Sequence, residues 1–142
     1  MANLTITAAN VLQPALSPRL STPVAGEALV RGQVVYLKSD GKWWKADATS
    51  LEKAGNGLGS NNIRIVLSDC SANQLVLLLE PGQQYTVGAV ITLGKLYVIS
   101  ATSGLICLNT DLVTGNYFTP LGYPASTTIL NFDPDSTGQL IP

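Results

Sequence analysis

The chain is 142 residues long, enough for one domain with a substantial core. Only 12% of its residues are charged, about half the usual ~25%, while 46% are apolar, which excludes a disordered chain. The net charge of −1 gives no electrostatic footprint for nucleic acid or an anionic membrane, and no apolar run approaches the ~20 residues that span a bilayer.

The start, MANLT, has no basic stretch and no long apolar run behind it, so it does not read as a secretory signal. Residues 3–12 begin with alternation, Leu4 and Ile6 on one side, Thr5 and Thr7 on the other. Pro14, Pro18 and Pro23 then break any ladder. Residues 1–23 are expected to be an extended N-terminal arm or an edge strand tied into the sheet.

Residues 24–132 read as the β-domain. Within them, residues 32–47, GQVVYLKSDGKWWKAD, predict a β-hairpin turning at Asp40-Gly41. A two-residue turn sets Leu37 against Trp44 and Tyr36 against Lys45. Val35, Leu37, Trp44 and Ala46 then share an apolar side, with Trp44 in the core. Val34, Tyr36, Lys38, Trp43, Lys45 and Asp47 share the other. Trp43 is expected to face outward, either as an interface residue with Tyr36 and Lys45 or as a surface ring along a lysine stem.

Residues 47–54 predict a short helical turn capped by Asp47 and ended by Gly55. Residues 55–62 are a Gly-rich loop. Strands are expected at 63–67, 75–79, 84–87 and 90–92, the second buried on both sides. Residues 94–107, GKLYVISATSGLIC, approximately repeat the first hairpin, with Tyr97 in the place of Tyr36. Residues 117–123 and 127–132 are two further strands, and residues 133–142 read as a C-terminal tail. Short strands with Gly and Pro turns point to an all-β fold, a small β-barrel or β-sandwich with short helical turns.

The chain has no histidine, which removes Ser-His-Asp and Cys-His catalysis and His-ligated metal sites. The carboxylates are scattered. Gly55, Gly57 and Gly59 lack the strand and helix of a phosphate loop. Asp133, Asp135 and Gly138 match the first half of a calcium loop, but the chain ends before a twelfth-position Glu. Cys70 and Cys107 form neither a disulfide framework nor a metal pattern and read as small buried residues in a reducing compartment. No catalytic residue, metal or cofactor is expected, so the chain is not read as an enzyme.

The segments MANLTITAANV, GQVVYLKSDGKWWKADA, GKLYVISATSGLI and TGNYFTPLGYPASTTILNF together resemble the small capsid decoration, or cement, proteins of tailed bacteriophages. The likeness covers roughly residues 2–132, loosely at 55–80. It implies a structural virion protein, assembled in the host cytoplasm, that binds the outer capsid surface as a homo-oligomer, commonly a trimer, and clamps neighbouring major capsid subunits. Leu4, Ile6, Val11 and Leu12 are the expected capsid anchors, by strand addition, with Tyr36, Trp43 and Lys45 as an interface. The rival reading is a carbohydrate- or receptor-binding β-module of a fibre or spike, with Trp43, Tyr36, Tyr85, Tyr117 and Tyr123 stacking on sugars.

Overall fold

The β-branched and aromatic residues after Gly32 form a strand, β1 (Val34–Leu37), and the chain returns as β2 (Trp43–Lys45). The computed structural model describes residues 3–11, 23–57 and 62–142. The fold is all-β. The strands that follow are β3 (Ile63–Val66), β4 (Leu78–Leu79), β5 (Gln83–Thr86), β6 (Tyr97–Ile99), β7 (Ile106–Leu108), β8 (Tyr117–Phe118), β9 (Pro120–Gly122), β10 (Ile129–Phe132) and β11 (Gln139–Leu140). They form antiparallel sheets ordered β2-β1-β3-β4, β7-β6-β9, β10-β5 and β11-β8, none closed into a barrel.

The hairpin register differs from the expected one by a single residue. Leu37 faces Trp43, Tyr36 faces Trp44 and Val35 faces Lys45. The loop holds three residues, because Lys38 N–H donates to Lys42 O at 3.0 Å and Gly41 N–H donates to Lys38 O at 3.0 Å. Gly41 has φ of +81°, the left-handed residue of a three-residue hairpin with a bulge. The Asp40 carboxylate holds this loop by accepting from Lys42 N–H at 2.9 Å. A slip of one residue exchanges the two sides of a strand. Trp43, expected outside, is therefore 9% exposed. Trp44, expected in the core, is half-buried at its margin.

Both faces of β1 are covered. Val34 and Tyr36 face the main core with Ile63, Ile65 and Leu79. Val35 and Trp43 face a second cluster with Ala25, Leu29, Val66, Val76 and Leu78. Arg64 closes that second cluster. Its guanidinium lies 5.5 Å from the Trp43 ring centroid, and its Nε is 3.0 Å from Glu80. Such a cation over a Trp face adds about 0.5–2 kcal/mol. The second hairpin repeats the arrangement. Tyr97, Ile99 and Ile106 face the main core, while Val98 and Cys107 join Ala48 and Leu112 in a third cluster. The two hairpins meet at Gly104, whose carbonyl accepts from Val34 N–H at 3.1 Å and whose N–H donates to Ala46 O at 2.8 Å.

The helical turn appears later than expected, as Glu52–Asn56: its N-cap is Leu51, and Asp47 accepts from Thr49 N–H instead of capping it. Gly55 has φ of +90°, and Asn56 N–H donates back to Leu51 O at 3.1 Å, the long closing bond of a Schellman cap. Residues 133–142 are not a free tail. Asp133 and Asp135 N–H groups bond Leu121 O and Pro120 O, and β11 pairs with β8. The expected strand over 90–92 is absent: Val90 is 78% exposed in the loop between Gly88 and Gly94. In residues 75–79 only Leu78–Leu79 is a strand, and Leu75 is exposed rather than buried.

The register makes a direct prediction. Trp43→Ala should cost about 3–5 kcal/mol in a urea titration, the range for emptying a large aromatic site. Trp44→Ala should cost less, since its ring is already part-hydrated. The reverse order would contradict the register.

Candidate interaction surfaces

The N-terminal segment is built into the domain. Leu4 N–H donates to Ile106 O at 3.0 Å, Asn3 bridges Cys107, and Thr7 N–H donates to Gly88 O at 3.0 Å. A 3-10 turn, Ala8–Asn10, follows, held by Arg31, whose Nη2 donates to Ala8 O at 2.9 Å. Leu4 and Ile6 pack against the main core and Val11 is buried in it. Leu4 and Ile6 are thus half-buried against this chain's own core and Val11 lies within it. Leu12 lies outside the described residues.

The second predicted group is divided. Tyr36 and Trp43 are buried in different clusters on opposite faces of one sheet. Lys45 is half-buried and turned to Glu27, with Nζ 3.9 Å from Oε1. Its backbone N–H also donates to Glu27 Oε2 at 2.9 Å. Trp44, passed over as a core residue, has the polar surroundings expected of Trp43. Its Nε1 donates to Asp40 Oδ2 at 3.1 Å, Lys38 Nζ sits 4.8 Å from its ring centroid, and the ring crosses Gly26. A β-carbon at Gly26 would lie 2.2 Å from Trp44 Cε2. The signal for this was the Asp40 side chain, which both lengthens the loop and receives the indole.

Buried polar groups serve the fold. Asp47 accepts from Thr49 N–H and from the Thr49 hydroxyl, and its other oxygen takes the Ser103 hydroxyl at 3.1 Å. This ties the first hairpin to the turn of the second. Ala54 O accepts from both Thr119 and Ser136 hydroxyls, fixing the C-terminal segment. Cys107 is buried, and burial with the nearby Asp111 charge pushes its thiol up to about 11. Cys70 is half-buried, its thiol also raised by burial. Both are held away from the thiolate that nucleophilic chemistry needs. Among the described residues, no group of three or more His, Cys, Asp or Glu side chains comes together. Ala8, Ala9, Arg31, Leu67, Ser68 and Asp69 line an open cleft of about 530 Å³. Its Asp69 carboxylate is engaged, accepting from Arg31 N–H at 2.9 Å. It presents no paired acid and base.

The exposed apolar side chains mark the remaining surface. Val113 and Leu140 are 60% and 55% exposed beside the β8–β11 pair, and Leu51 is exposed close to Gly138. Residues 112–132 and 136–142 carry no charge. Val90, Leu93 and Tyr123 are exposed elsewhere, the first two just after β5. Of the aromatic residues proposed to stack on sugars, Trp43, Tyr36 and Tyr85 are buried, leaving Tyr123 and a half-buried Tyr117. No family model matches this chain, and neither a curated protein nor a solved structure does.

Two predictions follow from these placements. Deleting residues 2–11 should lower the thermal midpoint and expose dye-binding apolar surface, because Leu4, Ile6 and Val11 leave the core; an unchanged midpoint would contradict their packing. The Tyr36 hydroxyl is pushed up to about 12, first by burial and then by Glu52 and the other carboxylates around it. Above the usual tyrosine value near 10 the unfolded chain ionises and the folded chain does not. The Tyr36 contribution to stability should therefore be complete below about pH 10 and decline toward pH 12. Tyr36→Phe should flatten that decline in denaturant titrations across this range.

Proposed function

We propose that this chain is a structural virion protein, not an enzyme, that binds the outer surface of an assembled phage capsid and clamps neighbouring major capsid subunits. The family resemblance motivates the reading. The observation that carries it is the exposure of Val113 and Leu140 in stretches without charged side chains near β8 and in β11, with Leu51 also exposed near Gly138. Exposed apolar side chains of this kind suit docking on another protein.

The mechanism is linkage. A protein that binds the lattice but not its separated subunits stabilises the lattice by mass action. At a free concentration 100-fold above Kd the gain is about 2.7 kcal/mol per site. In this reading the contact is made by Val113 and Leu140 rather than by Leu4, Ile6 and Val11, which pack in or against this chain's own core.

The test is co-sedimentation with empty shells of the major capsid protein that lack this chain. Saturable binding should be strong with the unmodified chain and fall at least tenfold in affinity with Val113→Asp/Leu140→Asp, which buries charge in an apolar contact. Both positions are exposed, so the variant should fold. Absence of the unmodified chain from the pellet, or unchanged binding by the variant, would reject this reading or this surface respectively.

A further inference from the structure

Among the described residues, the β10-β5 ladder has an open side. Its pairs are Ile129 with Thr86, Leu130 with Tyr85, Asn131 with Gln84 and Phe132 with Gln83. Just beyond them Val87 N–H donates to Thr128 O at 2.9 Å. That bond sets the alternation. Residues 83, 85 and 87 turn their backbone N–H and C=O toward β10, and residues 84 and 86 turn theirs away. Among the described residues β5 has no second partner strand, so the outward groups of Gln84 and Thr86 lack one. The next outward carbonyl, Gly88 O, is taken by Thr7 N–H at 3.0 Å. Other edges are covered by the chain itself. Residues 24–26 bond along β2, Leu4 bonds to β7, and Asp133 and Asp135 bond to β9.

We propose that β5 is a self-pairing edge, at which two copies of this chain join antiparallel across a two-fold axis with Gln84 facing the partner's Thr86. Proteins ordinarily guard an open edge with a lysine, a proline or a bulge. β5 has none of these, and residues 81–94 hold no charge after Pro81, so the edge meets its own copy without repulsion. Centred on Tyr85, the pairing lets the outward N–H and C=O groups of Gln84 and Thr86 make reciprocal bonds at both facing pairs. Gln84 is already ordered for this, since its Nε2 donates to Asn131 Oδ1 at 2.7 Å. A two-stranded ladder is marginal alone, and the pairing makes it four-stranded. Val90 and Leu93, 78% and 57% exposed, follow the strand in the chain. The contact is isologous. It stands apart from the capsid reading and gives two copies where the family resemblance implies three.

Light scattering on the full chain over a wide concentration range tests the pairing, with circular dichroism as the folding control. The unmodified chain should reach the mass of two copies of the 14.9 kDa chain. Gln84→Lys/Thr86→Lys sets like charges opposite each other at both facing pairs and should return the mass to one copy. Gln84→Lys/Thr86→Glu sets opposite charges there and should restore two copies. Thr86→Pro removes one outward N–H without touching a bond to β10 and should also give one copy. A mass of one or three copies for the unmodified chain would overturn the proposal, as would the two charge variants behaving alike when folded.

Discussion

The structure depends on the register of one hairpin. A three-residue loop, held by Asp40 and permitted by the positive φ of Gly41, sets Leu37 opposite Trp43. β1 is apolar on both faces, and that register puts Trp43 with Val35 and Leu37 on one of them and Trp44 with Tyr36 on the other, so the sheet is a partition between two clusters. β3 must then be apolar on both faces too, and it is: Ile63 and Ile65 meet the main core and Val66 the second cluster. Arg64, between them, stays on the second side by lying over Trp43 and pairing with Glu80. A fold with few charges can spend its apolar residues this way because satellite clusters use them on the far side of each sheet.

The second hairpin obeys the same constraint. Tyr97 takes the position of Tyr36 in the main core, and Leu96 and Val98 take those of Val35 and Leu37 at a satellite cluster. The hydrogen bonds of Gly104 to Val34 and Ala46, and of Ser103 to Asp47, tie the two units together. The approximate repeat in the sequence therefore has a physical counterpart in two central strands, each buried on both faces.

Much of this was legible in the sequence. The β-branched runs placed β1 and β3 to within a residue and β10 to within two. A helical turn was expected over 47–54, but it starts after Leu51, while Asp47 holds Thr49 and Ser103 instead of capping it. The errors of side share one cause. Alternation tells which residues share a side, but a turn one residue longer exchanges the sides, and the length is set by the bonds of Lys38 to Lys42 and Gly41, with Asp40 holding Lys42 N–H. Alternation also says nothing about the partner. Leu4 and Ile6 read equally well as an arm for another protein or as part of this core, and the answer came from long-range bonds to Ile106 and Gly88. Residues 133–142 lacked periodicity because they pair singly with β9 and β8, through isolated bonds that leave no pattern. What function could be read came from exclusion and resemblance. The N-terminal side chains and Trp43 pack inside this chain, and the surfaces proposed instead are the exposed C-terminal apolar groups and the edge of β5.

The account stands on β1 as the doubly buried centre of the molecule. Amide hydrogen exchange by NMR on the full chain measures this directly, since groups that open only on global unfolding exchange slowest. The amides of Val34–Leu37, bonded to strands on both sides, should be among the slowest, far slower than those of the open edge at Gln84 and Thr86. If β1 exchanged as fast as that edge, the two-sided core would be contradicted, and with it the register that places Trp43 inside.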